Sequence, residues 1–151
     1  MPVAKGVTTN PQPRLVGFLC EQGAYVFYNV SNPVRRKLPV NFVGLAVACI
    51  NQVQTNEILK AFLSGADGVL IAGCEACQCH ENWPQVQAQF SELSLALIGF
   101  GIEGPRLRLE WIAATEEEKF LQVVNAMMEK LRQLPPLRLP AELRKNIAHC
   151  G

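Results

Sequence analysis

The stretch Thr55-Asn56-Glu57-Ile58-Leu59-Lys60-Ala61-Phe62-Leu63-Ser64-Gly65-Ala66-Asp67-Gly68-Val69-Leu70-Ile71-Ala72-Gly73-Cys74 joins a helix directly to a strand. Ile58, Leu59 and Phe62 share one helical face, Thr55 is placed to cap the first turn, and Gly65 supplies a left-handed stop. Asp67-Gly68 then turns the chain into residues 69–72, a short continuous apolar run. Such runs are typical of strands buried on both faces of a parallel sheet. This one delivers Cys74 at its C-terminal end.

The same unit recurs on either side. Upstream, residues 15–19 read as a buried strand that ends in Cys20, and residues 42–48 as another that ends in Cys49. Between them, residues 24–37 read as a helical segment weakened by Pro33 and two asparagines. Downstream, Pro84 suits the first turn of a helix with Val86, Phe90, Leu93 and Leu97 on its inner face. Residues 107–113 form a fourth strand. Thr115-Glu116-Glu117-Glu118 reads as a capping box, opening a helix that buries Phe120, Val123, Val124, Met127, Leu131 and Leu134. Strands alternating with helices imply parallel pairing and right-handed crossovers. The expected fold is α/β, a compact doubly wound, mostly parallel four-stranded sheet of flavodoxin-like type, with strand order 2-1-3-4. Residues 14–134 form this domain, with arms at 1–13 and 135–151. The C-terminal arm opens on a proline-rich run and can end in a short helix over 141–148.

Composition narrows the function classes. The 151 residues are 49% apolar and 18% charged, enough for one domain with a proper core. A net charge of +1 gives no polyanion-binding surface, which argues against nucleic acid. The longest apolar stretches, at 43–50 and 93–102, fall well short of the ~20 residues of a membrane span. Residues 1–13 carry one lysine and no apolar core, so no signal peptide is expected and the chain reads as cytoplasmic. Thiols stay reduced there, and clustered cysteines then point to metal or redox chemistry.

Five of the six cysteines fall where such chemistry needs them. With the order above and adjacent strands ~4.8 Å apart, Cys49, Cys20 and Cys74 stand on neighbouring strand ends. In open α/β sheets that edge is the ligand-binding edge. The run Gly73-Cys74-Glu75-Ala76-Cys77-Gln78-Cys79-His80 adds Cys79 or Cys77 as a fourth thiol. Four thiolates suit a [2Fe–2S] or [4Fe–4S] cluster, or a tetrahedral zinc. One buried strand-end cysteine is usually a small core residue, but five around one edge are not explained that way. His80 reads as a hydrogen-bond donor beside the sulfurs or a ligand, and Cys150 as incidental. A thiol–disulfide enzyme using Cys74 and Cys79 would need a lowered thiol pKa, which Glu75 and Glu81 oppose.

Other motifs carry less. Gly99-Phe100-Gly101-Ile102-Glu103-Gly104 matches G-x-G-x-x-G but follows a helix and precedes a strand. A dinucleotide loop does the reverse, so this is a helix-to-strand turn. The Arg35-Arg36-Lys37 run reads as a solvated helix end, and Trp83 and Trp111 as packing residues.

The stretches Glu57-Ile58-Leu59-Lys60-Ala61-Phe62, Gly65-Ala66-Asp67-Gly68-Val69, Gly73-Cys74, Cys79-His80 and Pro105-Arg106-Leu107-Arg108-Leu109-Glu110-Trp111-Ile112 resemble the delta subunit of methyl-viologen-reducing hydrogenase. The resemblance extends over residues 14–134. It implies an iron–sulfur protein with a [2Fe–2S] cluster held by Cys20, Cys49, Cys74 and Cys79, with Cys77 as an alternative ligand. It implies electron relay between a hydrogenase, formate dehydrogenase or similar enzyme and a flavin-containing heterodisulfide-reductase-A-like protein, in anaerobes. Benzoyl-CoA reductase and methylenetetrahydrofolate reductase assemblies are further hosts that it allows. The chain departs from the family's Cys-Cys-x-x-Cys start, where it holds Leu19, Cys20 and Gly23. Cys77 stands where the family usually has glycine and is a candidate substitute for the thiol missing at Gly23. The competing reading is a non-redox adaptor with zinc, or no metal, at the cysteines.

Overall fold

Each apolar run becomes a strand in the computed structural model, which describes residues 10–74 and 83–137. The strands are β1 (Leu15–Cys20), β2 (Phe42–Val47), β3 (Gly68–Gly73) and β4 (Leu107–Trp111). They form one parallel sheet in the order β2-β1-β3-β4, as the alternation of elements predicts. β3, at the centre, is buried at every residue. Its side chains alternate between two cores: Val69 and Ile71 face one, Leu70 and Ala72 the other.

Helices cover both faces. On the first lie α2 (Thr55–Leu63), through Ile58, Leu59 and Phe62, and α3 (Trp83–Gly99), through Val86, Phe90, Leu93 and Leu97. These are the residues that helical spacing placed inward. On the second lie α1 (Tyr25–Tyr28) and α4 (Glu117–Gln133), where Phe120 stacks on Phe27 and meets the edge of Phe42. None of the described helices is long and apolar enough to cross a membrane.

The turns follow local chemistry. Gly65 takes φ +114° and closes α2, with the Ala66 amide donating to the Ala61 carbonyl at 3.1 Å. The glycine-rich motif is the expected helix-to-strand turn, with Gly101 at φ +89° before a 3-10 turn over Gly104–Arg106. Four expectations are corrected. The helical segment over 24–37 divides into α1 and a 3-10 turn over Pro33–Lys37. Asn29 accepts from the Ser31 amide at 3.0 Å and Asn32 from the Val34 amide at 3.0 Å, competing with helical bonds. Pro33 also bars Asn32 from helical backbone angles. Thr55 is the first residue of α2, and Gln54 is its cap, with Glu57 Oε1 accepting from the Gln54 amide at 3.2 Å. Likewise Thr115 does not cap α4: Glu116 precedes the helix, and its Oε1 accepts from the Ala113 amide at 2.9 Å. The strand over 107–113 ends at Trp111, because Ala113 leaves the sheet to bridge Gly23.

Arg106 ties the far edge of the sheet together. It is 1% exposed, donating through Nη1 to the Asp67 carbonyl at 3.0 Å and through Nη2 to the Pro135 carbonyl. Its Nε lies 3.3 Å from Glu103 Oε1 without hydrogen-bond geometry. Asp67 in turn accepts from the Arg14 amide at 2.9 Å, so the starts of β1, β3 and β4 share one polar knot. Arg106→Leu leaves two inward carbonyls without donors and is expected to cost about 2–4 kcal/mol. A lower urea midpoint at unchanged m-value checks this; an unchanged midpoint would show that water replaces the guanidinium.

Candidate functional site

Parallel register brings the predicted thiols to one edge. Cys20 ends β1 opposite Val47 of β2, and Cys49 stands two residues beyond Val47. On the other side Leu19 pairs with Ala72, so Cys74 leaves β3 just past the row of Cys20. Cys20 and Cys74 are buried, at 0% and 2% exposure, whereas Cys49 is half-buried and opens a 3-10 turn over Ile50–Gln52. Cys20 and Cys74 belong to the core beneath α2 and α3, and Cys49 packs against it. The Cys20 thiol donates to the Ala48 carbonyl at 3.9 Å, and the Cys74 thiol to the Gln22 carbonyl at 3.6 Å. Backbone from two loops thus already orients two of the sulfurs.

Gly23 makes the crowding at this edge explicit. A Cβ there would stand 3.0 Å from Cys74 Cβ, 3.5 Å from its Sγ and 2.6 Å from the Ile112 carbonyl oxygen. A side chain at position 23 would therefore point onto Cys74. In this chain the β4–α4 loop closes over that place through the antiparallel bridge of Gly23 with Ala113. Sequence reading singled out Gly23 as a position where the resemblance implies a thiol that this chain lacks. It did not foresee that the loop from β4 would fill the space, because no local signal links two residues so far apart in the chain.

Three thiols at the ends of neighbouring strands suit an iron–sulfur cluster in donor chemistry. Among the described residues no group of three or more His, Cys, Asp or Glu side chains is gathered closely enough to hold a metal ion. The other donors expected from the sequence, Cys77 and Cys79, lie outside the described residues, as do His80, Cys150 and the helix expected over 141–148. A cleft of about 590 Å³ lies beneath this edge between α2 and α3. Its lining includes Ile50, Ile58, Phe90 and Leu109 but no cysteine. With Gln54, Thr55, Gln89 and Glu92 also on its wall, it is a mixed cleft beside the thiol edge and not the centre of the thiol chemistry.

Comparison with known proteins agrees with the geometry. The family model described as methyl-viologen-reducing hydrogenase, delta subunit, matches residues 15–135. The chain is 34% identical to the iron-sulfur D subunit of the vhc F420-non-reducing hydrogenase of Methanococcus voltae, over 86% of this chain and 92% of that protein. It is 31% identical to the iron-sulfur D subunit of the F420-non-reducing hydrogenase of Archaeoglobus profundus, over 84% and 94% respectively. It is also 31% identical to part of the A-type subunit of the ferredoxin/F420H2-dependent CoB-CoM heterodisulfide reductase of Methanosarcina acetivorans. That match covers 83% of this chain but only 16% of the longer protein.

Proposed function

The chain belongs to the methyl-viologen-reducing hydrogenase delta subunit family, and from that membership we propose that it is an iron–sulfur electron-transfer protein without substrate chemistry of its own. It relays electrons between a hydrogenase, formate dehydrogenase or similar redox enzyme and a heterodisulfide-reductase-A-like flavoprotein, in the cytoplasm of an anaerobe. The observation that carries this reading is the delivery of Cys20, Cys49 and Cys74 to one sheet edge from three adjacent parallel strands. The partner is supported by the relatives in which a region similar to this chain forms part of a much longer A-type subunit of heterodisulfide reductase. Two regions joined covalently in one protein are natural neighbours when they occur on separate chains.

In this reading Cys20, Cys49, Cys74 and Cys79 hold a [2Fe–2S] cluster, with Cys77 as the alternative ligand, and the cluster supplies one-electron transfer when bound. The chain's own part is to fix the sulfurs and keep water from them. Burial of Cys20 and Cys74 serves the second purpose. The thiol contacts to the Ala48 and Gln22 carbonyls orient the two side chains in the protonated, metal-free protein and are given up when the sulfurs bind iron as thiolates.

Anaerobic purification followed by iron, sulfide and zinc analysis tests the proposal, with electron paramagnetic resonance after dithionite reduction. About two irons and two sulfides per chain, with the signal of a reduced [2Fe–2S] centre, are expected. Stoichiometric zinc, or a folded protein without metal, would replace the relay by an adaptor.

A further inference from the structure

We infer that Trp111 is a positioning residue for the cysteine site, an apolar wall whose indole keeps water from Cys20 and Cys74. The inference rests on the electron-transfer reading for its purpose, but the wall itself is a matter of geometry. The last row of the sheet runs Val47, Cys20, Gly73, Trp111 across β2, β1, β3 and β4: Cys20 pairs with Val47, Gly73 pairs with Trp111, and Gly73 follows the Ala72 that pairs with Leu19. Cys20 and Trp111 contribute to the same core, so they stand on one face of the sheet with only Gly73 between them.

Gly73 has no side chain, and the indole occupies its place. A Cβ on Gly73 would lie 2.6 Å from Cζ3 and 2.8 Å from Cε3 of Trp111, and 2.7 Å from Cδ1 of Ile50. The ring therefore leans from β4 across β3 towards the Cys20 strand and meets Ile50, which follows Cys49, over the glycine. Trp111 is only half-buried, so the ring borders solvent as well as the buried core that holds the thiols. The Lys119 ammonium donates to the Trp111 carbonyl at 2.6 Å and anchors the end of β4 from which the ring projects. A wall between solvent and thiols controls both access to the sulfurs and the polarity around any group that they hold.

Two measurements distinguish a wall from a simple packing residue. In metal-free, reduced protein, the iodoacetamide alkylation rates of Cys20 and Cys74 are followed by mass spectrometry for wild type, Trp111→Phe and Trp111→Leu. Trp111→Leu, smaller and without the reach across Gly73, is expected to raise both rates about tenfold or more, while half-exposed Cys49 changes little. Trp111→Phe, which keeps a ring, is expected to stay within about threefold of wild type. In reconstituted protein, Trp111→Leu should shift the midpoint potential upward, because water stabilises the more negative reduced state, and should hasten iron loss in air. Unchanged alkylation in a Trp111→Leu protein with native circular dichroism would overturn the wall. Should that variant fail to fold, Gly73→Ala supplies the test, since its methyl group must displace the ring: unchanged thiol rates there would overturn the inference equally. Failure of the electron-transfer reading looks different. Wild type would then hold no iron, whereas the alkylation contrast in metal-free protein would persist.

Discussion

Cys74→Ser is expected to reduce iron and sulfide to background and abolish the visible absorbance of the anaerobically purified protein, while circular dichroism stays that of an α/β fold. The separation of effects follows from placement. Cys74 lies one residue past β3, beyond its last ladder pairing, and a serine hydroxyl can donate to the Gln22 carbonyl that the thiol now contacts. The fold therefore loses little, whereas a soft thiolate donor to iron has no substitute in a neutral hydroxyl. Cys49→Ser should behave in the same way, at even smaller structural cost because Cys49 is half-buried. Cys150→Ser serves as the contrast and should leave iron content unchanged. Full iron content in Cys74→Ser would remove that residue from the ligand set and leave the proposed site without its central strand.

Phe120→Ala is expected to destabilise the metal-free protein by about 3–5 kcal/mol. Total stability for a domain of this kind is only about 5–15 kcal/mol, so the loss is a large fraction of it. Phe120 is fully buried, its ring 5.6 Å from that of Phe27 and 6.0 Å from that of Phe42. It thereby joins α4 to α1 and to the edge strand β2. Removing a ring packed against two others leaves a cavity as well as losing its burial, which places the cost in the range for large-to-small aromatic changes. Urea unfolding of both proteins measures it directly. Phe120→Leu should cost about 1–2 kcal/mol, since it keeps most of the volume and loses the stacking. Equal losses for the two variants would assign the effect to the aromatic contacts rather than to the cavity.

The strands, the inward faces of the longer helices and the sheet order were legible in the sequence because each rests on local information. Continuous apolar runs mark doubly buried strands, spacing marks the faces of α2 and α3, and alternation of elements leaves few parallel topologies. Gly65 and Gly101 announced their turns because only glycine readily takes those backbone angles. The delivery of Cys20, Cys49 and Cys74 to the C-terminal edge of the sheet followed from strand order alone. Local reading failed where two local options were close in energy. The region over 24–37 was such a case, because asparagine side chains can satisfy the backbone as well as a helix does. The caps of α2 and α4 were others, each shifted by one residue.

The surroundings of the thiols have a different origin. Side-chain period and strand order are written in short segments, and these were enough to dictate that a parallel sheet would gather cysteines at one edge. No short segment dictates that the carbonyl of Ile112 closes on Gly23, or that the indole of Trp111 lies across Gly73 towards Cys20. Those contacts join residues far apart in the chain. They arise only on folding, because two glycines leave room for groups that β4 and the loop after it carry to the cysteine edge.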